Sequence, residues 1–409
     1  MNPTRPPSAA DPAYRDHATD RPLRSVTLIL FAVFVAFFIT GLAMPVLPLH
    51  VHTGLGMSTL IVGFVTGSQF AAALISRVWS GNYADSRGGK PALLAGLVAA
   101  IVSGLLYLAS LPLAGAPVLS VTLLLLGRAV LGGAEGFIIT GAFSWALMML
   151  GPQSTGRILS WIGIAMYSAF AIAAPIGASL YSRYGFLAIG LGTVLLPLAS
   201  LLLTYPMRFV APRPARRPPL IQVIGAVWLP GIGLAFASVG FAAINAFVSL
   251  FFVERGWGPV WLVFTIYSGS FMLSRVLFGH LPDKLGATKV ALLFVSMEAT
   301  GQAVIWLAPQ PEIAFLGVAL TGFGYSLVHP AFGVEAVMQA PLQSRSLAMG
   351  AYTTFLDLAL GTAAPVLGFV ANRGGLRSVY LASTLVVACA IIVAIALLCR
   401  RKDPEPLSP

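Results

Sequence analysis

The sequence predicts an all-α membrane protein of twelve transmembrane helices in two pseudo-repeated six-helix bundles. Three observations predict it. Of 409 residues, 58% are hydrophobic and only 9% are charged, against about 25% charged in a soluble domain. The apolar residues form continuous runs of roughly twenty, the length that crosses a bilayer as a helix, where barrel strands would alternate apolar and polar. A ten-residue pattern also recurs after 198 residues, SRVWSGNYAD from Ser76 and SRVLFGHLPD from Ser274. Too little polar material is present to cover a water-soluble fold, which excludes a soluble enzyme, a nucleic-acid module and a disordered scaffold.

The elements follow in order. Residues 1–24 are polar and rich in Pro and Arg, and run directly into a long apolar segment. That is unlike the short basic and apolar regions of a signal peptide, so they are expected to be a disordered cytoplasmic tail. Apolar runs at 26–49, 58–80, 91–111, 118–142, 158–181 and 186–205 form a first set of six. Residues 207–220 carry four arginines and four prolines and read as a basic cytoplasmic linker. Runs at 227–252, 260–279, 290–308, 313–338, 347–370 and 379–398 form the second six. The expected domains are therefore 25–206 and 221–399, with a cytoplasmic tail at 400–409. Cys389 and Cys399 both belong to the last run or its end, which leaves no basis for a disulfide or a Cys metal site.

Charge fixes the orientation. With the N-terminus inside, nineteen of the 24 Lys and Arg residues lie at the cytoplasmic side and four outside, with Arg128 left within the membrane. Cytoplasmic loops retain Lys and Arg, so both termini are expected inside. The net charge of +11 needs no nucleic acid to explain it.

The halves correspond beyond the first pattern. Gly88 matches Gly286, and Arg157, Ala173-Ala174-Pro175 and Arg183 are mirrored by Arg345, Ala363-Ala364-Pro365 and Arg373. Duplicated halves imply a central cavity and alternating access by rocking of one half against the other.

These residues carry a resemblance. GNYADSRGGK at 81–90 resembles the signature loop of the major facilitator superfamily, and GHLPDKLGATK at 279–289 its second-half copy. Arg128 with Gly132 resembles the family's fourth-helix motif, and Pro175-x-Gly177 resembles that of its antiporter branches. LLLLGRAVLGGAEGF, TGFGYSLVHPAFGV and YTTFLDLALGTAAP are similar to the YhhS-type branch, grouped with proton-coupled drug and sugar efflux carriers. The signature loop departs at Gly89, where Arg is usual, and the fifth-helix motif at Ala174 and Ala178, where glycines are usual. The resemblance implies the major facilitator fold and a cytoplasmic latch stabilising the outward-facing state, formed by Gly81, Asp85, Arg87 and Lys90 with Gly279, Asp283 and Lys284. It also makes the third helix of each triplet peripheral. Glu298, with Gln302 one turn on, is then expected to make helix-packing contacts.

The ionisable residues deep in the runs are the candidate coupling groups. Arg128 costs about 3 kcal/mol or more in the bilayer unless it faces a cavity or a partner. Glu135 lies two turns along nearly the same face, about 10 Å away. Asp357 is in mid-helix, on a face with Thr353, Gly361 and Pro365. Gln69, Asn245, Tyr352, Ser268 and Ser270 are candidate cavity hydrogen-bonders, and His329 a further candidate that titrates in the physiological range. Pro175 and Pro365 are candidate flexing points, with packing as the first role of the Ala165, Ala169, Ala173, Gly177 stripe. Glu335 is placed at a cytoplasmic helix end. His50-x-His52 falls in an outer loop with too few ligands for a metal.

No catalytic, nucleotide or metal motif accompanies these residues, so no cofactor is expected and the chain is not read as an enzyme. The expected function is a monomeric secondary transporter in a bacterial inner membrane, exchanging protons for exported small organic solutes. The alternatives are proton-coupled uptake, or a membrane enzyme without a recognisable catalytic motif.

Overall fold

The computed structural model describes residues 12–210, 221–340 and 345–400. Twelve long helices account for nearly all of them: α1 (Pro12–Ala43), α2 (Thr59–Arg87), α3 (Gly89–Ser110), α4 (Pro117–Leu150), α5 (Thr155–Tyr184), α6 (Phe186–Thr204), α7 (Ile221–Glu254), α8 (Val260–Phe278), α9 (Ala287–Leu307), α10 (Pro311–Met338), α11 (Arg345–Gly374) and α12 (Leu376–Arg400). Each contains a stretch long and apolar enough to cross a membrane. The chain is thus a multi-pass membrane protein.

Several helices outrun their apolar runs. α1 begins at Pro12, inside the stretch read as tail. A helix already nucleated by an apolar segment propagates into polar sequence at little cost. α4 continues to Leu150, which places Glu135 in mid-helix. His50 and His52 belong to a wide helical turn after α1, and both are engaged by protein. The His50 ring stacks on Phe186 with centroids 4.3 Å apart, and His52 Nδ1 lies 2.6 Å from the Met57 carbonyl oxygen.

The repeat extends to the packing. In the first half α1 packs on α5 and α6, α4 on α2 and α3, and α3 on α6; the second half repeats these pairs six helices later. Glycines in the left-handed region turn the chain at equivalent places. Gly88 (φ +101°) and Gly286 (φ +91°) end α2 and precede α9, and Gly185 (φ +65°) and Gly375 (φ +77°) join α5 to α6 and α11 to α12. A side chain at these φ values is strained.

Two seams join the halves, α2 against α11 and α5 against α8. The first is tight at the end of α2 that begins at Thr59. A Cβ on Gly67 would lie 2.8 Å from the Gly361 carbonyl oxygen, and one on Gly368 2.6 Å from that of Thr59. The Thr59 hydroxyl donates to the Gly368 carbonyl at 3.1 Å. The second seam is aromatic, with Tyr167 stacked on Phe271 at 3.8 Å between centroids.

Candidate functional site

Between the halves lies a cavity of about 150 Å³, lined from both. In this conformation that is room for a solute of about benzene size. The first half contributes Thr40, Gln69, Arg77 and Glu135; the second contributes Phe241, Tyr267, Tyr325 and Asp357. Aromatic rings form much of the wall, with Phe241 stacked on Tyr325 and the Tyr325 hydroxyl 3.0 Å from Ser238 Oγ.

Two carboxyl groups face this space, one from each half. Glu135 is buried, and its Oε1 accepts from the Thr40 hydroxyl at 2.6 Å and from Gln69 Nε2 at 2.8 Å. α1, α2 and α4 converge there because Gly132 brings the α4 backbone onto that of Gln69. The second carboxyl, Asp357, is buried on α11 and forms an ion pair with Arg77 of α2. Arg77 Nη2 donates to Asp357 Oδ1 at 2.9 Å, and the guanidinium side chain remains 40% exposed. This bond joins the two halves at the cavity wall.

Other candidates fall elsewhere. Arg128 is buried at 1% exposure outside the cavity lining, beside α3, and its Nε and Nη1 have no hydrogen-bond partner among the described residues. It shares a face with Glu135 as the spacing implies, but the cavity does not reach two turns further along α4. Arg128 does act electrostatically on Glu135 and Tyr107. Asn245 is buried in α7 away from the cavity. Tyr352 donates to the His329 carbonyl at 2.8 Å, fixing α11 on α10. Ala173 and Gly177, flanking Pro175, pack against Gly41 and Leu42 of α1, and Pro365 packs against Gly63 and Gly67 of α2.

At the opposite ends of α2 and α8, Asp85 and Arg87 are exposed, Gly81 is buried, and Gly279 and Lys284 are exposed; the Asp283 side chain lies outside the described residues. Lys90 is committed within its own half, where Nζ donates to the carbonyls of Tyr205 at 2.7 Å and Met207 at 2.6 Å, at the end of α6. Glu335 is buried, and accepts from Thr288 at 2.9 Å and Gln339 at 3.1 Å. Glu298, expected to pack helices together, is fully buried with both carboxyl oxygens unpartnered among the described residues.

Sequence reasoning did not single out Arg77, Tyr167, Tyr267 or Tyr325. The repeat holds a signal for the first two. Arg77 and Arg275 are equivalent at the 198-residue offset, and the 190-residue offset between the two Ala-Ala-Pro motifs places Tyr167 where Asp357 stands in the other half. The ion pair on one seam is thus replaced on the other by Arg275 lying over the Phe271 ring, 5.7 Å from its centroid, beside Tyr167.

The profile of the Major Facilitator Superfamily matches residues 29–281 and 260–409. The chain belongs to that superfamily. It is 38% identical to the uncharacterized MFS-type transporter STM4428 of Salmonella typhimurium, over 94% of this chain and 97% of that protein. It is 37% identical to the uncharacterized MFS-type transporter YhhS of Escherichia coli K12, over 94% of each. Among solved structures, a mutant form of the nucleoside transporter NupG superposes with a TM-score of 0.76 at 14% identity, covering 91% of this chain and 99% of that one. A bacterial homolog of the human lysosomal transporter Spinster does so at 0.72 and 15% identity, covering 98% and 100%. This facilitator-superfamily chain is a transporter of small-molecule solutes, built on the shared twelve-helix fold.

Proposed function

We propose that the protein is a proton-coupled exporter of small organic solutes, a monomer in the bacterial cytoplasmic membrane with both termini inside. The observation that carries this is the ion pair between Arg77 and Asp357 across the halves, beside a second buried acid, Glu135, on the same cavity. Rocking of the halves must separate Arg77 from Asp357. A carboxylate that loses its cation in a desolvated site takes up a proton, and reunion of the pair expels it. Glu135 is held by two neutral donors and Arg128 acts on it from outside the cavity, so solute or proton can occupy that position in turn.

The cavity's orientation in the membrane is read from the charge-derived topology. The closed Thr59 end of the α2–α11 seam then faces outward, and the cavity is reached from the cytoplasm. The loops at 81–90 and 279–289 act as latches once the cytoplasmic side closes. The polar and aromatic lining suits drug-like cations, zwitterions or sugars.

The test is transport by the reconstituted protein under an imposed pH gradient, with a panel of those three solute classes. Accumulation on the acidic side that collapses with the gradient supports export by antiport. Accumulation on the alkaline side would indicate uptake, and no response to pH would remove the proton from the mechanism.

A further inference from the structure

Behind the tyrosines of the second half lies a buried polar cluster whose hydrogen bonds are only partly made among the described residues. Glu298 of α9 is fully buried and both its carboxyl oxygens lack partners, as do Gln302 Oε1 and the Tyr267 hydroxyl, among the described residues. Glu298 and Gln302 are one turn apart on α9, so their side chains are neighbours.

The hydrogen bonds around Gln302 decide what is missing. Its Nε2 donates to the Gly240 carbonyl at 3.3 Å and to Thr321 Oγ1 at 3.4 Å. Thr321 can only accept there, because its own hydroxyl donates to the Gly317 carbonyl at 2.8 Å. The amide orientation is therefore set, and Oε1 is left as an acceptor in need of a donor. A carboxylate offers two more acceptors, whereas a carboxylic acid offers one donor. The titratable groups that Glu298 acts on are Tyr267 of α8 and Tyr325 of α10, both of which line the cavity. No described Arg, Lys or His acts on Glu298. α7 presents Gly240, so close that a Cβ there would collide with Glu298 Oε1. Among the described residues the site has no counter-charge and no cluster of metal-ligating side chains, and buried charges without such compensation are neutralised.

We propose that Glu298 is a resident proton site, a neutral carboxylic acid bonded to Gln302 Oε1 whose proton exchanges with the cavity past the Tyr267 hydroxyl. This adds a third acid to the proton-coupled reading of the cavity, and rests on that reading only for what the exchanged proton drives. Infrared spectroscopy of the purified full-length protein tests it directly.

At neutral pH the wild type should show a protonated-carboxyl band that moves in D₂O and is lost in Glu298→Gln. Tyr267→Phe should keep the band and slow its deuterium shift. Gly240→Ala retains the acid but presses on Oε1, and should shift the band even if Glu298→Gln proves difficult to purify. A spectrum unchanged in Glu298→Gln, a band indifferent to D₂O, or one unmoved in Gly240→Ala would overturn the proposal. Absence of solute-driven proton movement in the wild type would overturn the exporter reading instead, with this band still in place.

Discussion

Arg77 of α2 and Asp357 of α11 stand 280 positions apart in sequence, yet they share an ion pair and a 2.9 Å hydrogen bond on the wall of the central cavity. The bond spans the seam that must open and close. Asp357 is nearly buried and Arg77 partly open to solvent, so each partner is affected differently when the other is lost.

The first prediction concerns that pair. Arg77→Gln alone leaves a buried carboxylate without its cation, and Asp357→Asn removes the need for one. The double variant should therefore be more stable than the sum of the single losses implies, with a coupling energy of about 1 kcal/mol, modest because Arg77 is partly exposed. Thermal unfolding of the four proteins in one detergent measures it. Strict additivity would show that the pair is not coupled.

A second prediction concerns the glycine seam. Gly67 lies against Gly361 and Pro365, where a Cβ already meets backbone and ring atoms within 3 Å. Gly67→Leu should cost about 1–3 kcal/mol through overpacking and wedge α2 from α11. A cysteine at Ala73, on the cavity wall, should then react faster with an impermeant thiol reagent applied from outside. An unaltered labelling rate would mean that this seam is not the outer closure.

The orientation yields a third. A reporter placed within 207–220 should behave as cytoplasmic, as should one at either terminus, because only that orientation puts nineteen of the 24 basic side chains on the side that retains Lys and Arg. Periplasmic activity of the linker reporter would reverse the assignment and, with it, the side from which the cavity opens.

The latch supplies a fourth. If the repeated 81–90 and 279–289 loops stabilise the outward-facing state, Asp85→Asn should raise inward accessibility and lower transport at least severalfold, with the fold intact. Two-sided labelling of cavity cysteines reads the shift, and unchanged labelling together with unchanged transport would remove the latch.

Much of this architecture was legible because bilayer physics writes itself into composition. The twelve spans, the duplicated halves and the acids Glu135 and Asp357 follow from apolar runs, a fixed offset and the cost of buried charge. Glu135, Gln69 and Asp357 do meet at the cavity. What escaped depended on depth and on partners distant in sequence. Arg77 reads as a helix-end cation until α2 is seen to continue to Arg87 and α11 to bring Asp357 beside it. Arg128 reads as a costly buried cation, but nothing in its spacing shows that the cavity lining ends two turns short of it. Glu298 and Gln302 sit at packing spacing on α9. Only the Gly240 and Thr321 acceptors reveal that their bonds do not close on one another.

The most direct measurement is proton movement in proteoliposomes, followed with an internal pH-sensitive dye as solutes of the three classes are added. Wild-type protein should move protons against solute. Asp357→Asn and Glu135→Gln should each reduce that movement strongly while solute exchange without a gradient persists. The double variant should move no protons in response to solute. Full solute-induced proton movement in the double variant would contradict the account and place coupling outside the cavity acids.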